Sequence, residues 1–264
     1  DMSKLFFFDI DGTLIECNKG IYRIPNDVRY GMNQLKKQGH DVFLATGRCK
    51  CFIVDGVMDY PFSGYVTCNG AYVECKGKEI YKKVVPKEAI EKTHQLCVER
   101  NLAYYFEGND HIYVLNKQNP KHIEFKNNWG MKDEIIIDSY QIDEIETYIG
   151  MIVLNSLDDR EIMYQTLSPY FDIQQHQSGL SFDLTLKGES KAKGIQKLVE
   201  ALGKNIKDTI AFGDGRNDIE MLSCVGLGIA MGNAADETKA VADYITDNVD
   251  CDGILKALKH FSFL

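Results

Sequence analysis

The sequence predicts an α/β protein: a doubly wound parallel sheet into which an α+β segment is inserted. Apolar runs without alternation are typical of strands buried on both faces, and they occur at residues 5–8, 42–45 and 209–212. Helical patterns separate these runs, whereas the middle of the chain shows hairpin patterns. Strand–helix alternation of this kind is typical of a parallel sheet covered by helices.

The elements of the parallel domain follow in order. After the first run, Pro25-Asn26-Asp27 opens a predicted helix that ends near Gly39, directly before the second run. A second helix, predicted over residues 191–202, places its apolar side chains at helical spacing and leads to the third run. The parallel pattern therefore resumes after the middle segment.

The middle segment mixes hairpins and helices. Residues 71–74 and 79–82 flank a turn at residues 75–78, and Pro86 opens a helix to about Arg100. Further strands are predicted at 103–106, 111–115, 134–137, 149–154, 171–176 and 181–186. We expect residues 1–82 and 185–264 to form the core, and residues 83–184 an inserted unit.

Composition excludes several function classes. The 264 residues carry a net charge of −9, which disfavours general electrostatic binding to nucleic acid or to an anionic membrane. No stretch approaches the roughly 20 apolar residues of a membrane helix, and residues 5–8 are too short for a signal peptide. The eight cysteines are scattered without a CxxC pair, so we expect reduced thiols. We expect a soluble, cytoplasmic protein.

Polar clusters follow all three buried runs. They are Asp9-Ile10-Asp11-Gly12-Thr13, Thr46-Gly47-Arg48 and Gly213-Asp214-Gly215-Arg216-Asn217-Asp218. The ligand crevice of an open α/β sheet lies beyond the carboxyl ends of its strands, so these clusters are expected to converge on one site.

The first cluster has few alternative interpretations. Asp9 and Asp11 lie on one side of an extended chain and repel each other unless a cation or a proton intervenes. Gly12 permits a tight turn, but it is fourth in the segment, whereas an EF-hand loop places its glycine sixth. A turn that caps a helix remains the structural alternative.

A second Asp-x-Asp-Gly segment, Asp250-Cys251-Asp252-Gly253, is interpreted differently. Residues 247–249 before it do not form a buried strand, and an amphipathic helix is predicted directly after it. Capping of that helix is therefore the preferred interpretation.

Magnesium chemistry on phosphate fits the remaining residues. Asp214 and Asp218 lie at i and i+4, and with Asp9 they supply the hard oxygen ligands that Mg²⁺ prefers. Thr46 and a lysine near residue 191 offer donors to phosphate oxygens. The sequence contains no GxxxxGK[ST], GxGxxG, HExxH or GxSxG motif.

The clusters, in this order and with the Lys191 region, resemble the four motifs of the haloacid dehalogenase superfamily. The insert, and Asn69-Gly70 after the third core strand, resemble its Cof-like phosphatase branch. The resemblance implies a Rossmann-like core with an α+β cap that selects the substrate. It also implies Mg²⁺-dependent hydrolysis of small phosphorylated metabolites, often sugar phosphates.

The resemblance also implies roles for individual residues. Asp9 would be the nucleophile that forms an aspartyl-phosphate, and Asp11 the general acid and base. The metal ligands would be Asp9, the backbone carbonyl of Asp11 and Asp214, with Asp218 binding directly or through water. Thr46 and a lysine would bind the transferring phosphoryl group, and the residues that orient phosphate or substrate would be Gly47, Arg48, Asn69 and Asn217.

Two lysines, Lys191 and Lys193, compete for the phosphoryl-binding role. Lys191 continues the apolar stripe of Ile195 and Leu198, whereas Lys193 lies about 200° round the helix from it and is expected to face solvent. We therefore assign the role to Lys191.

Two other functions remain open: a phosphomutase of the same superfamily, and an inactive protein that binds a phosphorylated ligand. The substrate and the oligomeric state are not predicted. Four residues of the insert are candidates for lining the pocket that selects the substrate: Glu107, Asn109, His111 and His176.

Overall fold

The computed structural model describes residues 3–176 and 179–264, which contain fourteen strands and nine α-helices. The strands are β1 (Leu5–Phe8), β2 (Asp41–Ala45), β3 (Gly64–Thr67), β4 (Tyr72–Cys75), β5 (Lys78–Lys82), β6 (Ala103–Glu107), β7 (Ile112–Val114), β8 (Ile136–Ile137), β9 (Ile149–Val153), β10 (Phe171–Gln175), β11 (Ser181–Leu186), β12 (Thr209–Gly213), β13 (Leu227–Ala230) and β14 (Tyr244–Ile245). The helices are α1 (Asn26–Lys37), α2 (Asp55–Met58), α3 (Lys87–Arg100), α4 (Pro120–Trp129), α5 (Arg160–Leu167), α6 (Lys191–Ala201), α7 (Ile219–Cys224), α8 (Asp236–Val241) and α9 (Gly253–His260).

The chain divides into two compact units. The first comprises the chain up to Arg48 together with Ile53–Lys82 and Ser190–Leu264, and the second comprises Cys49–Phe52 and Lys83–Glu189. The domain boundary expected after residue 184 falls inside β11, which pairs with β10 as far as Leu186.

The sheet of the first unit has the strand order β14-β13-β12-β1-β2-β3-β4-β5. The pairs from β14 to β3 are parallel, and β4 and β5 add an antiparallel hairpin. Successive residues of β1 point to opposite faces, so Phe6 and Phe8 pack with α1 and α9, while Leu5 and Phe7 pack with α6 and α7. Because helices cover both faces, the predicted doubly wound fold is confirmed.

The second unit is an α+β structure, as predicted. Its sheet has the order β10-β11-β9-β6-β7-β8, and all neighbours are antiparallel except β7 and β8. Helices α3 and α5 pack on one face of this sheet, around the buried side chains of Tyr104, Phe106 and Phe182.

Several predicted elements differ in extent from those observed. The strand expected at residues 134–137 is reduced to β8, because Asp133–Ile135 forms a 3-10 turn before it. Helix α1 ends at Lys37, two residues before the glycine that was expected to mark its end. Among the described residues, none of the helices combines the length and hydropathy that a membrane span requires.

Candidate active site

The predicted polar clusters lie at the carboxyl ends of three adjacent central strands in the first unit's sheet. Strands β12, β1 and β2 are neighbours and run parallel, with Phe8 opposite Phe212 and Leu44. Their carboxyl ends therefore lie side by side, and the loops that follow them are brought together. Residues more than 200 positions apart in sequence thus lie close in space.

Asp9 is the first residue after β1, and its backbone N–H donates to the carbonyl of Phe212, 3.0 Å away. Its carboxylate is buried and accepts a hydrogen bond from Lys191 Nζ at 2.7 Å. Burial and the charge of Asp218 raise the pKa of Asp9 to about 6, although Lys191 opposes this shift. The Asp9 carboxylate is consequently crowded by negative charge.

The turn after Asp9 brings Asp214 against it. Gly12 has a φ of +80°, and a Cβ built there would lie 2.1 Å from Asp214 Oδ2, so only glycine fits. The Thr13 hydroxyl lies 3.3 Å from Asp214 Oδ1 and donates to it. Burial, followed by the charges of Asp9 and Asp218, raises the pKa of Asp214 to about 9.

Asp218 organises the loop after β12. One of its oxygens accepts hydrogen bonds from the backbone N–H groups of Asp214 and Gly215, each at 3.0 Å. The other oxygen accepts from Lys191 Nζ at 2.6 Å. Since both oxygens are engaged and the side chain is fully buried, Asp218 fixes its neighbours in place.

Lys191 is the buried cation of the site. It is the first residue of α6, has no solvent exposure, and contacts both Asp9 and Asp218. Burial lowers the pKa of the ammonium, but the two carboxylates outweigh this effect and hold the pKa above its ordinary value. Lys193 lies elsewhere, with its ammonium 5.8 Å from the centre of the Tyr81 ring; it is half-buried rather than facing solvent.

Asp11 and Arg48 form a pair at the edge of this centre. Arg48 Nε and Nη2 each donate to one oxygen of Asp11, both at 2.8 Å. The Asp11 side chain is half exposed, whereas that of Arg48 is largely buried. The two-point contact fixes the orientation of the Asp11 carboxylate.

The loop after β2 is supported by the segment that follows β3. Thr46 is buried, and its hydroxyl accepts a hydrogen bond from the Arg48 N–H at 3.0 Å. The Asn69 N–H donates to the Thr46 carbonyl at 3.1 Å, and the Asn69 side chain accepts from Asn217 Nδ2 at the same distance. A Cβ at Gly47 would lie 3.0 Å from Asn69 Oδ1, so this loop is closely packed.

Asn233 is a residue that sequence reasoning missed. It follows β13, and its Nδ2 donates to the Gly12 carbonyl at 2.9 Å, while its Oδ1 accepts from the Val249 N–H at 2.8 Å. The sequence pattern could have indicated Asn233, because this polar residue shortly follows a short apolar run, as the three predicted polar clusters do.

The four residues of the insert that are candidates for substrate selection lie in the second unit. Glu107 ends β6, and Asn109 and His111 lie on the loop before β7. His176 Nε2 forms an ion pair with Asp183 Oδ1 at 2.8 Å. Burial lowers the pKa of His176, but Asp183 and the charge of Glu107 outweigh it and raise the pKa above its ordinary value.

A divalent cation fits the carboxylate centre. Asp9, Asp214 and Asp218 each offer an oxygen, and these oxygens lie within 4.8 Å of one another. Lys191 is paired with Asp9 and Asp218, whereas Asp214 has no such partner among the described residues. Burial, and after it the charges of the neighbouring carboxylates, raise the pKa values of Asp9 and Asp214. Oxygen ligands with excess negative charge are those that Mg²⁺ prefers.

Comparison with known proteins agrees with this geometry. The family model described as haloacid dehalogenase-like hydrolase matches residues 6–258. A provisionally named phosphatase of Bacillus subtilis, YkrA, is 34% identical over 266 residues, which is 99% of each chain. A structure from Geobacillus kaustophilus has a TM-score of 0.88 at 30% identity and covers all of both chains.

A structure of the HAD subclass IIB sugar phosphatase BT4131 is also similar. It has a TM-score of 0.85 at 30% identity, and the match covers 99% of this chain and 100% of that one. The resemblance inferred from the sequence motifs is thereby confirmed over nearly the whole chain.

Proposed function

The chain belongs to the haloacid dehalogenase-like hydrolases and is a phosphatase, and we propose that it hydrolyses small phosphorylated metabolites with Mg²⁺ through an aspartyl-phosphate on Asp9. One observation carries the proposal: carboxylate oxygens of Asp9, Asp214 and Asp218 lie within 4.8 Å of one another, and two of these residues, Asp9 and Asp218, contact the buried Lys191. Such a centre suits phosphoryl transfer, in which positioning and charge stabilisation supply most of the catalysis.

Asp9 is proposed as the nucleophile. One carboxylate oxygen attacks phosphorus, the P–O bond to the leaving group breaks, and an acyl phosphate remains on Asp9. Lys191 holds one oxygen of Asp9 at 2.7 Å, which leaves the other for attack. The Thr13 hydroxyl lies 3.5 Å from that second oxygen and limits its rotation.

Asp9, Asp214 and the backbone carbonyl of Asp11 are the proposed ligands of Mg²⁺. When bound, the ion would neutralise negative charge on the carboxylates and on the phosphoryl group. Asp218 is proposed to act indirectly, since both of its oxygens already accept hydrogen bonds from Lys191 and from the backbone. Asp218 thus positions Asp214 and Lys191.

Asp11 is the proposed acid and base. It would give a proton to the leaving oxygen and later take one from the water that attacks the acyl phosphate. Both Asp11 oxygens accept from Arg48, so at least one of these hydrogen bonds must break before Asp11 donates a proton. Arg48 therefore holds Asp11 in place between turnovers.

Lys191 and Thr46 are proposed to bind the phosphoryl oxygens. Lys191 keeps its charge because two carboxylates hold it, and the Thr46 hydroxyl lies in a loop fixed by Arg48 and Asn69. Asn217, after β12, donates to Asn69, after β3, and both are proposed to orient the substrate. Burial strengthens each of these contacts in the transition state.

The proposed substrate class is supported by a similar structure of a sugar phosphatase. BT4131 is a sugar phosphatase, and we extend a small phosphorylated metabolite, such as a sugar phosphate, to this chain. The second unit, Cys49–Phe52 with Lys83–Glu189, is proposed as the cap that selects the leaving group.

Phosphate release from a panel of phosphorylated metabolites tests the proposal. We expect release from some sugar phosphates with Mg²⁺, and none after chelation, with activity restored by added Mg²⁺. Full activity in the chelated protein would contradict the metal assignment. Conversion of a sugar phosphate to its isomer without phosphate release would instead identify a phosphomutase.

A further inference from the structure

Two cysteines lie in contact directly after the Thr46–Arg48 loop. Cys49 and Cys51 are separated by Lys50, and their sulfur atoms are 3.6 Å apart. Both residues belong to the second unit, and Cys49 follows Arg48 in the chain. This sulfur pair is not used by the proposed hydrolysis.

A tight turn holds the two thiols together. The Phe52 N–H donates to the Cys49 carbonyl at 3.0 Å, and Lys50–Phe52 forms a 3-10 turn. Cys51 Sγ also donates to the Gly108 carbonyl at 3.6 Å. The sulfur atoms are thus neighbours because of the local backbone, which is the geometry that favours reaction between them.

The two thiols differ in access to solvent. Cys49 is fully buried, whereas Cys51 is partly exposed, so an oxidant in solution reaches Cys51 first. Burial raises the pKa of the thiols of Cys75, Cys97 and Cys224, which makes their reactive thiolates scarce. These three cysteines are therefore poor competitors for oxidation.

We propose that Cys49 and Cys51 form a reversible disulfide when hydrogen peroxide oxidises the protein, and that this modification lowers turnover. The peroxide transfers oxygen to the Cys51 thiolate, giving a sulfenic acid and releasing water. The Cys49 sulfur then attacks the Cys51 sulfur, the S–O bond breaks, and a second water leaves. Overall, two thiols and one peroxide become one disulfide and two waters.

The effect on turnover follows from what lies next to Cys49. A disulfide requires a sulfur separation of about 2.05 Å, so the two sulfurs must approach by roughly 1.5 Å. Arg48 holds Asp11 by two hydrogen bonds, and its carbonyl accepts from the Cys68 N–H at 3.1 Å. Displacement of catalytic groups by about 1 Å costs up to about 10²-fold in rate. This second part rests on the proposed function, whereas disulfide formation does not.

Trypsin provides a direct assay for the bond, because Arg48 and Lys50 are both cleavage sites. We use the intact protein with Cys17→Ser and Cys251→Ser, which removes the two exposed thiols. The protein is treated with hydrogen peroxide, alkylated, digested without reductant and analysed by mass spectrometry. Peptides 49–50 and 51–76 are expected to remain linked, or to persist as one uncleaved peptide two hydrogens lighter.

Single-cysteine variants test whether the disulfide joins Cys49 to Cys51 and not to another thiol. In Cys51→Ser we expect no linkage and no loss of activity with peroxide, and in Cys49→Ser we expect a sulfenic acid on Cys51 that dimedone traps. Linkage of Cys49 to Cys68 or Cys75, or unlinked peptides, would overturn the assignment even if no substrate were known. A 49–51 disulfide with turnover unchanged, or a loss that dithiothreitol does not reverse, would overturn the effect on activity alone.

Discussion

The chain contains the pattern Asp-x-Asp-Gly twice, at Asp9–Gly12 and at Asp250–Gly253, and only the first enters the carboxylate centre. Asp9 follows the buried strand β1, with parallel neighbours on both sides. Asp250 lies in the 3-10 turn Val249–Cys251 and is exposed. The same residue types therefore occupy very different environments.

The surroundings of the two segments shift the pKa values of their first carboxylates in opposite directions. Asp9 meets Lys191 and two further carboxylates in a buried space, so its charge is costly and its pKa is raised. Asp250 pairs with Lys19 at 2.8 Å on the surface, and this contact lowers its pKa. Position at the carboxyl end of a buried parallel strand, rather than the motif itself, distinguishes the environment of Asp9 from that of Asp250.

The largest expected effect comes from Asp9→Asn. This change keeps the volume but removes the nucleophilic carboxylate, so we expect turnover to be abolished in a folded protein. The matched change in the second segment, Asp250→Asn, should leave turnover at the wild-type level. Steady-state phosphate release compares the two variants, and circular dichroism checks that both are folded. Equal activity of the two variants would show that Asp9 is no more important for turnover than Asp250.

Asp11→Asn should follow in size. Loss of the acid and base slows both phosphoenzyme formation and its breakdown, and general acid–base catalysis contributes about 10²–10⁴-fold. Asp252→Asn is the matched control, because Asp252 is exposed and should be replaceable without effect. Single-turnover rates of phosphoenzyme formation from an ester with a good leaving group and one with a poor one check the role, since formation from the poor one should be slowed more. A uniform loss for both esters would argue against proton donation.

Lys191→Ala should lower turnover by about 10²–10³-fold, by analogy with the loss of an oxyanion-hole donor. Lys193→Ala, two residues along the same helix, should remain near the wild-type rate because its ammonium lies over Tyr81. Side-by-side kinetics of the two folded variants decide between them. The reverse ranking would transfer the phosphoryl-binding role to Lys193.

A smaller effect is expected in the pH dependence of stability. Asp9 and Asp214 have pKa values of about 6 and about 9 in the folded protein, above the ordinary 3.8. The folded protein therefore binds these protons more tightly than the unfolded chain, and the metal-free protein should lose stability as pH rises from about 4 to about 9. Denaturant unfolding across this range measures the slope.

Asp214→Asn should flatten that slope, whereas Asp252→Asn should not change it. Saturating Mg²⁺ should stabilise the protein most at the alkaline end, where the carboxylates are charged and the ion neutralises them. A slope unaffected by both Asp214→Asn and Mg²⁺ would show that the carboxylate centre does not control this pH dependence.

The sequence predicts an element or a residue's burial best where the spacing of apolar residues along the chain determines which side chains are buried. Buried runs locate β1, β2 and β12, and helical spacing distinguishes Lys191 from Lys193, because each signal depends on neighbours along the chain. The interpretation of residues 250–253 as a helix cap holds for position: Asp252 is the N-cap residue of α9, with a left-handed φ of 56°, although its side chain makes no capping hydrogen bond.

Contacts between distant loops are not visible in the sequence. The Arg48–Asp11 pair and the Asn233 contact with Gly12 each join residues from different strand ends, so neither follows from local spacing. The pairing of His176 with Asp183 depends on the register of β10 and β11. Side-chain partners across loops and strands require the folded structure.

Trapping of the phosphoenzyme tests the central claim most directly. The protein is mixed with Mg²⁺ and a substrate, quenched in acid within one turnover, and reduced with borohydride, which converts an acyl phosphate to homoserine. We predict homoserine at Asp9, none in chelated protein, none in Asp9→Asn, and an unaffected yield in Asp250→Asn. Turnover without any modified aspartate, or modification at another residue, would contradict the account.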